Sequence, residues 1–338
     1  MADQVSNGGT TEEIEVSWPL DSTTVYGTLV KPSGSAGPFS AVVMVAGSGP
    51  TDRDWNTPLL PGTNGSARLL ADALAQAGIA SLRYDKRASG PHMRENMQTL
   101  IGKISMQSHL DELVGSVRML ANQDYIRKDK IFALTNSEGA LHALNYQVSN
   151  PEIPFAGLVL TAPPGRTVGA VGRSQVAAQL AGMPNGEAAM TQYDAAIARF
   201  IAAKPFDLDP MLPQAAKILL QGLANPMNLP FARELWMADA AALLGKIQVP
   251  VLIVIGKKDI QVDWQVDGEL LQHAAAAGAG RKDVTFIFPK NANHVLKYEP
   301  KSRAELVPAE VVTGYNATSA HLDHEARAGI LKWLAAHA

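Results

Sequence analysis

The stretch KIFALTNSEGALHALNY, Lys130 to Tyr146, decides how this 338-residue chain is read. Ile131 to Leu134 form an apolar run that breaks at a small polar turn. The pattern then resumes with helical period, Ala140, Leu141, Leu144 and Val148 falling on one face. A strand that turns sharply into a helix with a serine at the apex, here Ser137, is the geometry that exposes a nucleophile at a sheet edge. The motif of such an elbow is G-x-S-x-G; Gly139 supplies one glycine, but Thr135 stands where the other belongs. A β-branched residue there must be accommodated by small neighbours or by a shifted helix. Two readings of Ser137 follow: an activated hydroxyl, or a turn residue in a protein that binds without reacting.

Around this unit strands and helices alternate. EIEVSWPL and TTVYGTLVKP, separated by Asp21 and Ser22, predict an antiparallel pair at a sheet edge. FSAVVMVAGSGP is a continuous apolar run, as expected of a strand buried on both faces. A helix over GSARLLADALAQAG, the strand IASLRYD and a helix over SMQSHLDELVGSVRMLANQ follow, the last with a stripe of Leu110, Leu113, Val114, Val117 and Leu120. Beyond the Ser137 unit come the strands FAGLVLTAPPG and VPVLIVIGKKD, a helix around Gln265 to Ala276, the strand VTFIFPKNANH and a final helix from about His321 to Ala336. This alternation predicts an α/β fold, a mostly parallel twisted sheet with helices on both faces. Sites in such sheets lie at the carboxyl ends of the strands. GSGPTDRD, DKRASG, NSEG, PPGR, KKD and NANH all fall at those ends.

One interval breaks the rhythm. From Thr161 to Val249 there is far more chain than one crossover helix requires. The interval is rich in Ala, Leu, Gln and Met and punctuated by prolines, which predicts a helical cap inserted over the carboxyl edge. Residues 1–165 and 247–338 then form the core, and residues 166–246 the cap. Met183, Met190, Met211, Met227 and Met237 either fill the cap's own core or offer an adaptable apolar wall to an acyl or alkyl group.

Composition narrows the classes. The chain is 46% hydrophobic and 18% charged, with a formal charge of −3 and a pI near 6.2, so nothing electrostatic favours nucleic acid or an anionic membrane. It contains no cysteine, which excludes disulfides, thiolate metal sites and a cysteine nucleophile. The N-terminus has no basic region followed by an apolar run, and no apolar stretch approaches the ~20 residues of a membrane helix. The expectation is a cytoplasmic protein acting on a small neutral or apolar molecule, with no membrane insertion and an oligomeric state left open. No H-x-x-x-H or H-E-x-x-H pair and no acidic calcium loop is present, so no metal is expected. GSGPTD lacks the third glycine of a dinucleotide turn and the lysine of a phosphate loop, so no cofactor is expected either.

A serine hydroxyl needs a base to take its proton, and the base needs an acid to fix its tautomer. In chain order, and each after a strand, stand Ser137, Asp259 in VLIVIGKKD and His294 in FIFPKNANHVLK. Asp263 is the alternative acid if the loop extends further. Asp267 and Glu269 fall in the following helix and read as solvated. His92, His321 and His324 read as structural or exposed. His142 is too close to Ser137 on the same helix to curl back, His109 and His273 lie on ordinary helices, and His337 is at the tail.

The sequence resembles the α/β-hydrolase superfamily, and within it bacterial esterases and lysophospholipase-like hydrolases with a GSGPTDRD loop. The matching segments are VAGSGPTDRDWN (Val45 to Asn56), RYDKRASG (Arg83 to Gly90), VLIVIGKKDIQV (Val251 to Val262) and NANHVLKYEP (Asn291 to Pro300). The resemblance implies a serine hydrolase with the triad Ser137, Asp259 and His294. It also implies an oxyanion hole made by the backbone N–H groups of Ser48 and Glu138; the glycine-rich turn Gly47-Ser48-Gly49 would let that backbone approach a substrate. Asp52, Arg53 and Asp54 would fix the loop through Arg83 or Arg87, or touch a polar substrate group. The expected substrate is a carboxylic ester with an apolar acyl or alkyl group. Amide, thioester, lactone or activated carbon–carbon cleavage, or a non-catalytic binding protein of the same fold, are the alternatives.

Overall fold

The computed structural model describes residues 11–278, 283–307, 310–311 and 314–338. Eight strands form one sheet: β1 (Thr11–Leu20), β2 (Thr23–Pro32), β3 (Phe39–Val45), β4 (Ala80–Tyr84), β5 (Ile126–Asn136), β6 (Gly157–Thr161), β7 (Val251–Val254) and β8 (Val284–Ile287). Their order is β1-β2-β4-β3-β5-β6-β7-β8. β2 runs antiparallel to both β1 and β4, and every pair from β4 to β8 is parallel. The carboxyl ends of β3 to β8 therefore meet along one edge.

β3 shows why the sheet is covered on both sides. All of its residues are buried, and alternate side chains enter opposite faces. Ala41, Val43 and Val45 join one core cluster with Leu113, Val117 and Leu120 of α3 (Met106–Ala121) and Leu141 and Leu144 of α4 (Gly139–Val148). Val42 and Met44 join the other, with Leu70 and Leu74 of α1 (Ser66–Gln76) and Ile330 and Leu334 of the C-terminal helix His324–His337. α3 opens with a reciprocal Ser105–Ser108 capping box. The C-terminal helix begins later than its sequence pattern suggests because Asp323 is its N-cap, accepting from Ala326 N at 2.9 Å. A short helix, α2 (Met93–Leu100), was not foreseen; its sequence is mostly polar and it buries only Asn96 and Leu100.

The interval between β6 and β7 is helical: α5 (Val168–Leu180), α6 (Gly186–Ile201), α7 (Gln214–Ala224), α8 (Phe231–Trp236) and α9 (Ala240–Leu244). α5, α6 and α7 share a core of their own around Val176, Leu180, Tyr193 and Leu220, and Phe200, Ala232 and Trp236 form a second. Ala240 and Leu244 of α9 are already back in the main core. Met190 packs on the insertion's core, but Met183, Met211 and Met237 are exposed, so core filling does not account for them.

Asp267 corrects the sequence reading. It lies on α10 (Val266–Ala277), but it is fully buried rather than solvated. Its carboxylate accepts from the backbone N–H of Gly165, Arg166 and Asp263, and binds the Arg166 guanidinium at 2.9 and 2.8 Å. It thus fastens the chain where it leaves β6 for the insertion. Removing one partner of a buried pair strands the other. Asp267→Ala is predicted to lose about 3 kcal/mol of stability, read from urea unfolding; a loss below 1 kcal/mol would contradict this anchoring role.

Candidate active site

Ser137 sits at the turn from β5 into α4 with φ of 53°, in the left-handed region that a non-glycine residue rarely enters. Its N–H donates to Thr161 O at 2.8 Å and its carbonyl accepts from Ala140 N at 3.0 Å, so strand and helix both hold the turn. Ser137 is partly exposed while Thr135, Asn136, Glu138 and Gly139 around it are buried. Gly139 is required by sterics: a Cβ there would lie 2.4 Å from Val45 O and 2.8 Å from Ala46 O. Thr135 faces no such limit. It is buried within β5, its hydroxyl 3.4 Å from Val159 O, and its carbonyl accepts from Thr161 Oγ1 at 2.5 Å.

Asp259 and His294 come together from the ends of β7 and β8. His294 Nδ1 is 2.8 Å from Asp259 Oδ2, and the pair is buried. The other Asp259 oxygen accepts from the N–H of Gln261 and Val262, at 2.8 and 3.0 Å, which fixes the carboxylate's orientation. Because that carboxylate only accepts, a neutral His294 carries its proton on Nδ1 and leaves Nε2 as the ring's acceptor. Asn293 Oδ1 accepts from Val295 N and Lys297 N, closing the tight loop that carries His294. Asn136 Nδ2 donates to His294 O at 2.9 Å, tying that loop to the residue before Ser137. Among the described residues the Ser137 hydroxyl has no hydrogen-bond partner, His294 included.

Asp263 is turned elsewhere. It receives Gln265 N and Val266 N at the start of α10 and binds Arg303 at 2.7 Å. His92 pairs with Glu95 and stacks on Tyr26, His321 stacks on Tyr298, and His337 stacks on Trp333. His273 and His324 are exposed. His109 and His142 are buried.

The loops after β3 and β4 are clasped together. Arg53 binds Asp85 through its backbone N–H, Nε and Nη2, and reaches Glu15 and Thr28 with Nη1. Asp54 pairs with Arg83, and Asp52 accepts from the N–H of Asp54 and Asn56. The DRD segment is therefore a loop-fixing network that uses Arg83 but not Arg87. Gly47 lies against the elbow: a Cβ on it would be 3.3 Å from Ser137 Cβ. Among the described residues neither Ser48 N–H nor Glu138 N–H has a protein acceptor, which leaves two backbone donors beside Ser137.

Sequence reasoning missed the charges beneath the elbow. Lys86 Nζ lies 2.9 Å from Glu138 Oε1, which also receives His142 Nε2 at 3.1 Å. His109 sits beside His142, with ring centroids 4.8 Å apart, and binds Glu112, which pairs with Arg87. Phe231 of α8 packs edge-on against His109. Burial pushes the Glu138 carboxyl up, but Lys86 and His142 outweigh it and hold the group far below the ordinary carboxylate range. Burial likewise opposes the ionisation of Glu112, yet His109 and Arg87 bring it to about 2. His142 is pushed down to about 4, chiefly by burial and against the pull of Glu138. It is therefore neutral near pH 7, with its proton on Nε2 toward Glu138. The one sequence signal of this cluster was the RYDKRASG turn, which contains both Lys86 and Arg87.

A parallel sheet with a serine elbow at its carboxyl edge and a histidine–aspartate pair on later strands is the architecture of one class of protein. Residues 42–307 match the Alpha/beta hydrolase family, and the chain belongs to it. Over 276 residues the chain is 26% identical to Esterase EstD of Thermotoga maritima, a match covering 80% of this chain and 57% of that protein. It thus spans little more than half the length of that curated relative. Among solved structures it is similar to a proline iminopeptidase of Mycobacterium smegmatis, with 14% identity, a TM-score of 0.55, and 96% and 98% of the two chains covered. It is also similar to an esterase of Rhizomucor miehei, with 14% identity, a TM-score of 0.55, and 97% and 84% covered. At these identities the structural likeness shows the fold alone. Among the described residues no helix is long and apolar enough to cross a membrane.

The histidine cluster predicts a pH dependence. A histidine held neutral, with its folded pKa at about 4 against roughly 6.5 unfolded, stabilises the fold fully above the unfolded value. That contribution fades as pH falls from 6.5 toward 4. The urea midpoint should drop across this window in the wild type and drop less in His142→Asn; identical slopes for the two proteins would refute the assignment.

Proposed function

We propose that this protein is a serine hydrolase that cleaves carboxylic esters through an acyl-enzyme, with Ser137 as nucleophile, His294 as base and Asp259 as its orienting acid. The observation that carries the reading is the buried Asp259–His294 pair at 2.8 Å, tied through Asn136 to the strained turn that exposes Ser137. In this reading Ser137 Oγ attacks the ester carbonyl while His294 Nε2 takes its proton. Asp259 steadies the imidazolium, and the N–H groups of Ser48 and Glu138 receive the oxyanion. The proton then passes to the departing alcohol, and water, activated by the same histidine, releases the acid.

The weak relationship to Esterase EstD favours an ester over other acyl bonds. The GSGPTDRD loop supports the narrower resemblance to esterases and lysophospholipase-like hydrolases. Residues 166–246 act in this proposal as a cap over the carboxyl edge, with residues 1–165 and 247–338 as the hydrolase core, and an apolar acyl or alkyl group is the portion of substrate that the cap would cover. The rival reading, a binding protein with a disabled elbow, drew its force from Thr135, and Thr135 fits within β5 without displacing Gly139 from its contact with Val45.

The test is hydrolysis of p-nitrophenyl esters from acetate to decanoate. Ser137→Ala and His294→Ala should each lower turnover by roughly 10⁴- to 10⁶-fold, with the double variant little worse, because such residues act as a unit. A fluorophosphonate should label Ser137 in native protein only. Asp259→Asn should cost about 10⁴-fold in kcat and Asp263→Asn very little; the reverse pattern would reassign the acid. Absence of labelling together with absence of turnover would favour the binding protein.

A further inference from the structure

Lys86 is not one of the three residues assigned to the chemistry, yet its whole donor capacity is spent beside them. Its ammonium is buried and donates to Gly47 O at 2.6 Å, Glu138 Oε1 at 2.9 Å and, more weakly, Gly49 O at 3.4 Å. An ammonium has three N–H donors and no acceptor, so all three are engaged. The acceptors bracket the two free amides of the site. Gly47 and Gly49 flank Ser48, and Glu138 carries the other donor on its own backbone.

The bond to Gly47 O has a directional consequence. Gly47 C=O and Ser48 N–H belong to the same peptide group, which is planar and trans, so the two point in opposite directions. Drawing the carbonyl onto Lys86 aims the Ser48 N–H away from Lys86, and a hydrogen bond at the carbonyl also polarises the N–H as a donor. On its Gly47 side this peptide lies against Asn136 and Ser137, while the chain beyond Ser48 is open. Gly49 has φ of 91° and no atom within 4 Å of where a Cβ would stand, so side-chain packing does not hold it. The remaining ties on the two carbonyls come from Thr51, through Oγ1 to Gly47 O at 3.2 Å and N–H to Gly49 O at 2.8 Å.

We propose that Lys86 is the positioning residue of the oxyanion hole, holding the Ser48 and Glu138 amides in one fixed arrangement by joining the Gly47–Ser48 peptide to the Glu138 carboxylate. This deepens the hydrolase reading and rests on it. Lys86 touches no reacting atom; it acts through the two backbone donors. The Glu138 carboxylate neutralises its charge, so its contribution is geometric rather than that of a free cation facing the oxyanion.

Removing an oxyanion donor costs about 10²- to 10³-fold in kcat, and a donor left present but unaimed should cost somewhat less. Lys86→Met, which keeps length without donors, is expected to lower kcat by about 30- to 300-fold while KM changes less than threefold. Affinity for a trifluoromethyl ketone analogue, which binds as an oxyanion, should fall in step with kcat/KM. Lys86→Met strands the Glu138 carboxylate, so the double variant Lys86→Met/Glu138→Gln, which removes both charges, is measured beside it and should be equally slow. Either folded variant turning over at the wild-type kcat would overturn the proposal. So would a raised KM at unchanged kcat, or a ketone affinity that does not follow kcat/KM. If instead the wild type itself shows neither Ser137-dependent turnover nor labelling, the hydrolase reading has failed, and the role of Lys86 falls with it.

Discussion

The carboxyl edge of this sheet depends on one close approach, that of α4 to the end of β3 at Gly139. No side chain fits between that residue and the Val45 carbonyl, so α4 begins directly against the neighbouring strand. That proximity sets the sharpness of the turn at Ser137 and brings Gly47 against the serine. At the start of α4 the Glu138 N–H is unpaired, because the start of a helix has no internal acceptor for it. Backbone geometry thus creates a serine apex and an adjacent donor before any side chain is considered.

Such an arrangement places charge where a sheet protein ordinarily has apolar packing. Glu138 follows the apex directly and points inward, and an unpaired carboxylate there would be far too costly. The structure answers with a chain of contacts: Lys86 to Glu138, Glu138 to His142, His142 beside His109, His109 to Glu112, and Glu112 to Arg87. Two cations face two anions with two imidazoles between them, so the cluster is balanced without a charge on His142. Phe231 covers the imidazoles from the insertion, and its N–H donates to Ile104 O at 3.0 Å. α8 is therefore bound to the polar cluster as well as to the helices that precede it. An insertion that moved as one body would have to uncover these buried imidazoles, a constraint that weighs less on α5 to α7 with their separate core.

Strand and helix order was legible because each element here has a one-sided or two-sided apolar pattern that matches its position. The buried run of β3 and the stripe of α3 are examples. The pairing of Asp259 with His294 could be read from chain order, since successive parallel strands deliver their ends to one edge. Lys86 and Asp267 were not legible for a common reason. A charged residue is solvated in most sequence contexts, and its burial depends on a partner distant in the chain: Glu138 for one, Arg166 for the other. Periodicity does not encode such partners. Neither does it encode Asn136, whose side chain secures the loop of His294 from the last position of β5.

Thr135 makes the same distinction in reverse. A sequence motif records residue types, while the fold enforces contacts, and the two glycines of the elbow motif need not answer equal demands. At Gly139 the contact is with the carbonyls of Val45 and Ala46 at the end of β3, so any Cβ meets backbone. At Thr135 the chain is still in register between Val45 and Leu160, where strand side chains have their usual room above and below the sheet. The Thr135 side chain remains buried beside Val159, and Thr161 bonds back to the Thr135 carbonyl, so the last pair of β5 and β6 is reinforced. The constraint on this elbow is thus one-sided. It falls on the helix, where strand and helix collide, and the strand position is free to carry a β-branched residue that favours extended backbone up to the turn.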